Sequence, residues 1–158
     1  MKYLVVYYSE SGNTQKIANA VAIGLGIEAT KIEEVNPSAL PDYDLICFGT
    51  PVQGAAPAKK VLDFISKMPA MDGKKAAVFC TMHGFGDKNA IQILKKTLEA
   101  KRMDFLGGFS ARGWSRLVAN FGPRIFNRGR PNQDELLKAE EFGRNLLAKM
   151  QQPQIASI

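Results

Sequence analysis

Six consecutive residues, Ser9-Glu10-Ser11-Gly12-Asn13-Thr14, concentrate the chemistry of this chain. Three hydroxyls and a carboxamide crowd a turn in which Gly12 lets the backbone come close to a ligand. The segment follows the apolar run Lys2–Tyr8 and precedes Ile17, Val21 and Leu25, which lie four apart as one helical stripe. A turn between a buried strand and a helix aims the first amides of the helix, and the positive end of its dipole, into the loop. Such a site prefers an anion, and short hydroxyl side chains complete the shell without a cation. A simple N-cap is the competing explanation, since Ser, Asn and Thr all cap helices. One capping residue would do for that, and here polar or glycine residues fill the whole turn. The spacing predicts a phosphate cradle.

Other phosphate chemistries lack their residues. No lysine stands where a P-loop requires one. G-x-G-x-x-G is absent, and Gly24-Leu25-Gly26 falls where glycine ends the first helix. Ser9 occupies the place a phosphocysteine enzyme gives to Cys, and Gly49-Thr50 the place a phospho-accepting receiver gives to Asp. Binding, rather than phosphoryl transfer, is the reading that survives. Metal chemistry has no support either. Cys47 and Cys80 sit in apolar runs, C-x-x-C is absent, and His83 is the single histidine.

The elements that must position this loop alternate between strand and helix. Strands are expected over Lys2–Tyr8, Ala29–Val35, Leu45–Gly49, Lys75–Thr81 and Phe105–Ser110. Helices are expected over Asn13–Leu25, from Pro57 through Val61, Leu62 and Ile65, and from a cap at Asp87 through Ile91, Leu94 and Leu98. Asn132 with Glu135 three residues on predicts a capped last helix to Met150, its stripe formed by Leu136, Phe142 and Leu147. Pro37 to Pro41 allows at most one helical turn. Strands apolar on both faces imply a parallel α/β sheet covered on both sides. Ligands then sit beyond the carboxyl ends of the strands, at the loops Ser9–Thr14, Thr50–Ala56 and Thr81–Asp87. One domain over residues 1–150 and a loose tail over 151–158 are expected. With 46% hydrophobic and 23% charged residues and no membrane-length apolar run, a cytoplasmic protein is expected.

Ser9–Thr14 resembles the [ST]-x-[ST]-G-x-T phosphate loop of the flavodoxin family at every position. Phe48-Gly49-Thr50-Pro51-Val52-Gln53-Gly54 and Thr81-Met82-His83-Gly84-Phe85-Gly86 look like the family's two isoalloxazine loops. Gly129-Arg130-Pro131-Asn132, followed by Asp134-Glu135-Leu136, is similar to a branch of the family common in anaerobes. The resemblance implies a flavodoxin-like doubly wound sheet of five parallel strands, order 2-1-3-4-5, with helices on both faces. It implies one non-covalent FMN, its phosphate on Ser9, Ser11, Gly12, Asn13 and Thr14, with Glu10 also among the cofactor-binding residues. The ring would lie between Thr50, Pro51, Val52, Gln53, Gly54 and Ala55 on one side and Thr81, Met82, His83, Gly84, Phe85 and Gly86 on the other. The family tunes its flavin through a peptide that flips in the first ring loop, and Gly54 is the candidate here. The implied function is electron transfer, with FMN cycling between oxidised, semiquinone and hydroquinone states and no catalytic side chain. An FMN-dependent oxidoreductase acting on a quinone or other small oxidant is the alternative.

Two features depart from the family pattern. The first ring loop offers only Val52 and Gln53 where aromatics often stack, which leaves one ring face open to a small oxidant. The net charge is +6, whereas many flavodoxins are acidic. Most of that charge lies between Phe105 and Gln133, which holds Arg112, Arg116, Arg124, Arg128 and Arg130 and no Asp, Glu or Lys. Without those five, basic and acidic residues nearly balance, 16 against 15. Trp114, Phe121 and Phe126 are interleaved with them. A connection this long in a compact domain is usually functional. The basic loop over 111–131 is therefore expected to dock an acidic redox partner protein near Arg112, Trp114, Arg116, Arg124 and Arg128. An anionic membrane surface is the runner-up, and a binding module using the loop on a membrane or nucleic acid is a third reading, with nucleic acid disfavoured.

Overall fold

The structure, a computed structural model, describes residues 1–113 and 130–152. Its elements in chain order are β1 (Tyr3–Tyr7), α1 (Asn13–Leu25), β2 (Ala29–Lys31), β3 (Leu45–Gln53), β4 (Ala56–Pro57), α2 (Lys59–Ser66), β5 (Lys75–Met82), α3 (Asp87–Ala100), β6 (Asp104–Arg112) and α4 (Gln133–Gln151). Five strands run parallel in the order β2-β1-β3-β5-β6, which is the expected 2-1-3-4-5 with one addition. The addition is β4, two residues that fold back antiparallel on the end of β3.

Alternation along the strands explains why their sequences are apolar throughout. Val6, Ile46, Phe48 and Val78 point to one face and meet Ile65 of α2 and Leu94 and Leu98 of α3. Val5, Tyr7, Cys47 and Phe79 point to the other and meet Ile17 and Val21 of α1 and Leu146 of α4. On that second face α1 and α4 approach backbone to backbone. A Cβ at Gly143 would lie 2.2 Å from the Val21 carbonyl oxygen, and one at Gly24 would lie 2.1 Å from that of Glu140.

Several boundaries differ from expectation, each for a local reason. Gly26 alone ends α1, in the left-handed conformation, while Gly24 belongs to the helix and makes room for α4. β2 stops at Lys31, where Ile32–Glu34 turn as a 3₁₀ helix and bury Ile32. The Pro37 stretch runs as a longer 3₁₀ helix to Asp42, because Asn36 caps it through the Ser38 amide. β3 continues four residues beyond Gly49, through Gln53. Pro57 does not open α2; it sits in β4, paired with Val52, and the helix begins two residues later. Asp87 is not the cap of α3. Gly86 is, at φ +97°, and the Asp87 carboxylate accepts a 2.8 Å hydrogen bond from the Ser110 hydroxyl instead. The last helix does carry the expected capping box between Asn132 and Glu135.

Candidate functional site

Parallel topology brings the carboxyl ends of β1, β3 and β5 side by side, and with them the three loops singled out from sequence. The first loop leads into α1 through Gly12, which stands at the N-cap with φ +89° and makes no side-chain capping bond. Glycine has no side chain, so the N-cap residue itself offers no capping oxygen to this helix end. The hydroxyls serve the loop itself. Ser9 Oγ accepts from the Gly12 amide at 3.1 Å, and Ser11 Oγ accepts from Asn13 Nδ2 at 3.0 Å. Glu10 faces outward and accepts from the Tyr8 hydroxyl at 3.0 Å. The helix carries no acidic residue in its first turn, so nothing in α1 competes with an incoming anion.

Thr14 differs from its neighbours in the loop. It is 1% exposed, and its Oγ1 lies 2.8 Å from Oγ1 of Thr81, which is 5% exposed and ends the buried part of β5. One hydroxyl donates to the other, and the second proton of the pair remains to be offered elsewhere. This bond joins the Ser9–Thr14 loop to the Thr81–Gly86 loop, a link that no sequence pattern announces.

The first ring loop is shorter than expected, because Thr50, Pro51, Val52 and Gln53 are strand residues and only Gly54 and Ala55 turn. Thr50 is fully buried; its Oγ1 accepts from the Ala58 amide and donates to the Pro51 carbonyl, both at 2.9 Å, and so pins the hairpin onto β3. Gly86 packs against this turn so closely that a Cβ there would come within 2.6 Å of Ala55 Cα and 3.2 Å of Val52 Cγ1. The two ring loops thus touch at Ala55 and Gly86. In the second loop Phe85 is 81% exposed, which removes it from the core and leaves its ring on the open side of the site. His83 Nδ1 lies 3.1 Å from the Gly113 carbonyl oxygen. A carbonyl only accepts, so Nδ1 is the donor in this contact.

Gly113 closes the fourth side. Its amide donates to the Met82 carbonyl at 2.8 Å, and a Cβ on it would meet Asn13 Nδ2 at 2.6 Å. Gly113, the last described residue before the basic stretch, therefore lies beside Asn13 of the first loop and His83 of the second. β6 runs through Arg112, two residues into the stretch expected to be loop. Trp114, Arg116, Arg124 and Arg128, with most of the tail over 151–158, lie outside the described residues. Arg112 and Arg130, which flank the segment, share one anchor in Glu135, a residue of the α4 capping box. Glu135 Oε2 accepts from the Asn132 amide at 2.9 Å, while its Oε1 accepts from the Arg112 amide at 3.3 Å and pairs with Arg130 at 2.9 Å.

The remaining candidates behave as packing. Both cysteines are buried thiols; burial pushes Cys80 up to about 12 and Cys47 higher still. No cluster of His, Cys, Asp and Glu that could hold a metal occurs among the described residues. Among them, too, no helix is long and apolar enough to cross a membrane.

A helix start with glycine at its N-cap, a polar loop around it, and two touching loops with an exposed aromatic stand together at the carboxyl end of a flavodoxin-type sheet. A family model described as a flavodoxin domain matches residues 4–114, and the chain belongs to the flavodoxin family. An uncharacterized protein of Methanocaldococcus jannaschii is 32% identical over 152 residues, covering 93% of this chain and 99% of the relative. An NAD(P)H dehydrogenase (quinone) of Archaeoglobus fulgidus is 25% identical over 184 residues, covering 92% and 95% respectively. Oxidised flavodoxin 1 of Bacillus cereus superposes with a TM-score of 0.74 at 24% identity, covering 94% of this chain and 98% of that one. The family's cofactor is FMN.

Proposed function

We propose that this chain is an FMN-dependent electron carrier that cycles its flavin through two one-electron steps. The observation that carries the reading is the start of α1, where Gly12 caps at φ +89° without a side-chain bond inside a six-residue polar loop. Ser9, Ser11, Gly12, Asn13 and Thr14 would hold the phosphate, with Glu10 directed outward in the same loop. Gln53, Gly54 and Ala55 would border the ring from one side, and His83, Gly84 and Phe85 from the other. Thr50 and Thr81, at the buried ends of β3 and β5, support these loops through their hydroxyls. FMN supplies the electron chemistry, and the protein's part is to bind it, orient it and set its potential. Titration of flavin-free protein with FMN and riboflavin tests the reading. FMN should bind at least tenfold tighter, since several charge-assisted hydrogen bonds, each worth about 1.5–3 kcal/mol, depend on the phosphate. Equal affinities would refute it.

One observation favours a second reading. The Archaeoglobus relative is a quinone-reducing NAD(P)H dehydrogenase matched over nearly its whole length. The first ring loop also has no aromatic to cover the flavin on its side. Steady NAD(P)H-dependent quinone reduction by the isolated holoprotein would select that enzyme reading. The reading extends to a partner. Five arginines between Phe105 and Gln133, starting beside the candidate site, suit an acidic redox protein, with an anionic membrane as the competing surface. Replacing Arg116, Arg124 and Arg128 by Gln should slow transfer to such a partner and flatten its salt dependence. Vesicle binding that is lost in the same variant would favour the membrane instead.

A further inference from the structure

We infer that Gly113 is a positioning residue for phosphate recognition: it seats the Asn13 carboxamide, which in turn aims the Ser11 hydroxyl. The inference rests on the flavin reading above and adds to it a residue that lies outside all three loops. Ser11 Oγ accepts from Asn13 Nδ2 at 3.0 Å. A hydroxyl that accepts there keeps its own proton for an incoming anion, and where Nδ2 stands decides which way that proton points. Ser11 itself is exposed, whereas Asn13 is only 6% exposed although it is the first residue of α1. The backbone of Asn13 is fixed by the helix, and the next residue, Thr14, is bound to Thr81. The carboxamide is the part of Asn13 that can still move.

Gly113 keeps it in place. The Gly113 amide donates to the Met82 carbonyl at 2.8 Å, and its own carbonyl accepts from His83 Nδ1 at 3.1 Å. Both polar groups of the residue are thus tied to the end of β5 and the loop after it, and the backbone cannot retreat from Asn13. A Cβ at this position would lie 2.6 Å from Asn13 Nδ2, 2.9 Å from its Cγ and 3.1 Å from its Cβ. Gly113 is not among the positive-φ glycines, so the position demands glycine for space and not for backbone conformation. All three crowded atoms belong to one side chain, which can swing aside. A methyl group at 113 is therefore tolerated by the fold, while the bond from Asn13 to Ser11 is not kept. The loss falls on the anion site.

The test titrates flavin-free protein with FMN and with riboflavin, as wild type, Gly113→Ala, Asn13→Ala and the Gly113→Ala/Asn13→Ala double. Gly113→Ala should weaken FMN about three- to tenfold, the worth of one hydrogen bond, and leave riboflavin, which has no phosphate, unchanged. Asn13→Ala removes the carboxamide itself and should show the same selective loss. In the double variant the new methyl group has no carboxamide to displace, so its FMN affinity should equal that of Asn13→Ala. Riboflavin weakened as much as FMN would place the effect in the ring loop, through Met82 and His83, and overturn the inference. Additive losses in the double variant would overturn it too, as would an FMN affinity unchanged by Asn13→Ala, which decides the matter even if Gly113→Ala fails to fold. NMR of the flavin-free protein gives a check that needs no cofactor. The side-chain amide resonances of Asn13 should move in Gly113→Ala while the backbone amides of β2 stay in place, and unmoved Asn13 resonances would refute the contact. A wild-type protein that takes up neither flavin would defeat the flavin reading instead, and the Asn13 resonances would still decide whether Gly113 seats the carboxamide.

Discussion

Removing the Thr14 hydroxyl should do two separable things, and their separation tests how the phosphate loop is built. Thr14 and Thr81 are both buried and are joined through their hydroxyls at 2.8 Å. Thr14→Val keeps the shape and leaves the Thr81 hydroxyl buried without its partner. A buried polar group left in that state costs about 1–3 kcal/mol, whereas replacing both partners by apolar groups of the same shape is nearly neutral. For a domain of this size each kcal/mol moves the melting temperature by about 2–4 °C, so either single variant should melt about 2–12 °C below wild type. The double variant Thr14→Val/Thr81→Val should recover most of that loss. Ser11→Ala is the comparison: Ser11 is exposed, and its loss removes the one bond its Oγ accepts from Asn13 Nδ2, so flavin-free stability should fall by no more than about 0.5–1.5 kcal/mol while FMN affinity falls. In Thr14→Val both quantities fall, with affinity down about ten- to a hundredfold if its hydroxyl serves a charged phosphate. Thermal melts of the flavin-free proteins and FMN titrations together read out the scheme. Strictly additive losses in the double variant would refute the mutual pair. An unchanged FMN affinity in Ser11→Ala would remove Ser11 from the phosphate shell.

Gly143→Ala should lower stability sharply, because its Cβ would lie 2.2 Å from the Val21 carbonyl oxygen and α1 and α4 cannot separate without opening the core; denaturant unfolding measures it. Asn132→Ala should cost about 0.5–2 kcal/mol through loss of the α4 cap; a stability equal to wild type would show that the cap is dispensable. Asp44 is held below its usual carboxylate range first by the Lys2 amide at 2.7 Å and then by Lys74. The stability it contributes is present above the unfolded value of 3.8 and is lost as pH falls through the lower folded value. The gap between wild type and Asp44→Asn should accordingly close in acid, as pH-dependent melts will show. Neither Cys47 nor Cys80 should react with an alkylating reagent at neutral pH until the fold opens, which mass spectrometry of labelled protein follows.

Much of the fold was legible in the chain because its signals are local. Apolar runs at Leu4–Tyr7, Leu45–Phe48 and Ala76–Cys80 are buried on both faces and can only be interior strands of a covered sheet. The Asn132–Glu135 cap and the span of α1 depend on residues within a few positions of one another, and both appear as expected. The candidate phosphate loop was legible for the same reason: strand, polar turn and helix start are contiguous. Tertiary structure decided what contiguity cannot carry. Pro57 reads as a helix opener by its fixed φ, yet Thr50 draws the following amide onto β3 and makes the residue part of a hairpin. Gly24 reads as a helix end, and only the crossing of α1 and α4 assigns it, with Gly143, a packing role. Thr14 with Thr81, Asn89 with Ala55, and Glu135 with Arg112 and Arg130 are partners chosen by the folded geometry. No periodicity marks such pairs, because one hydrogen bond between distant residues leaves no pattern in the residues around it.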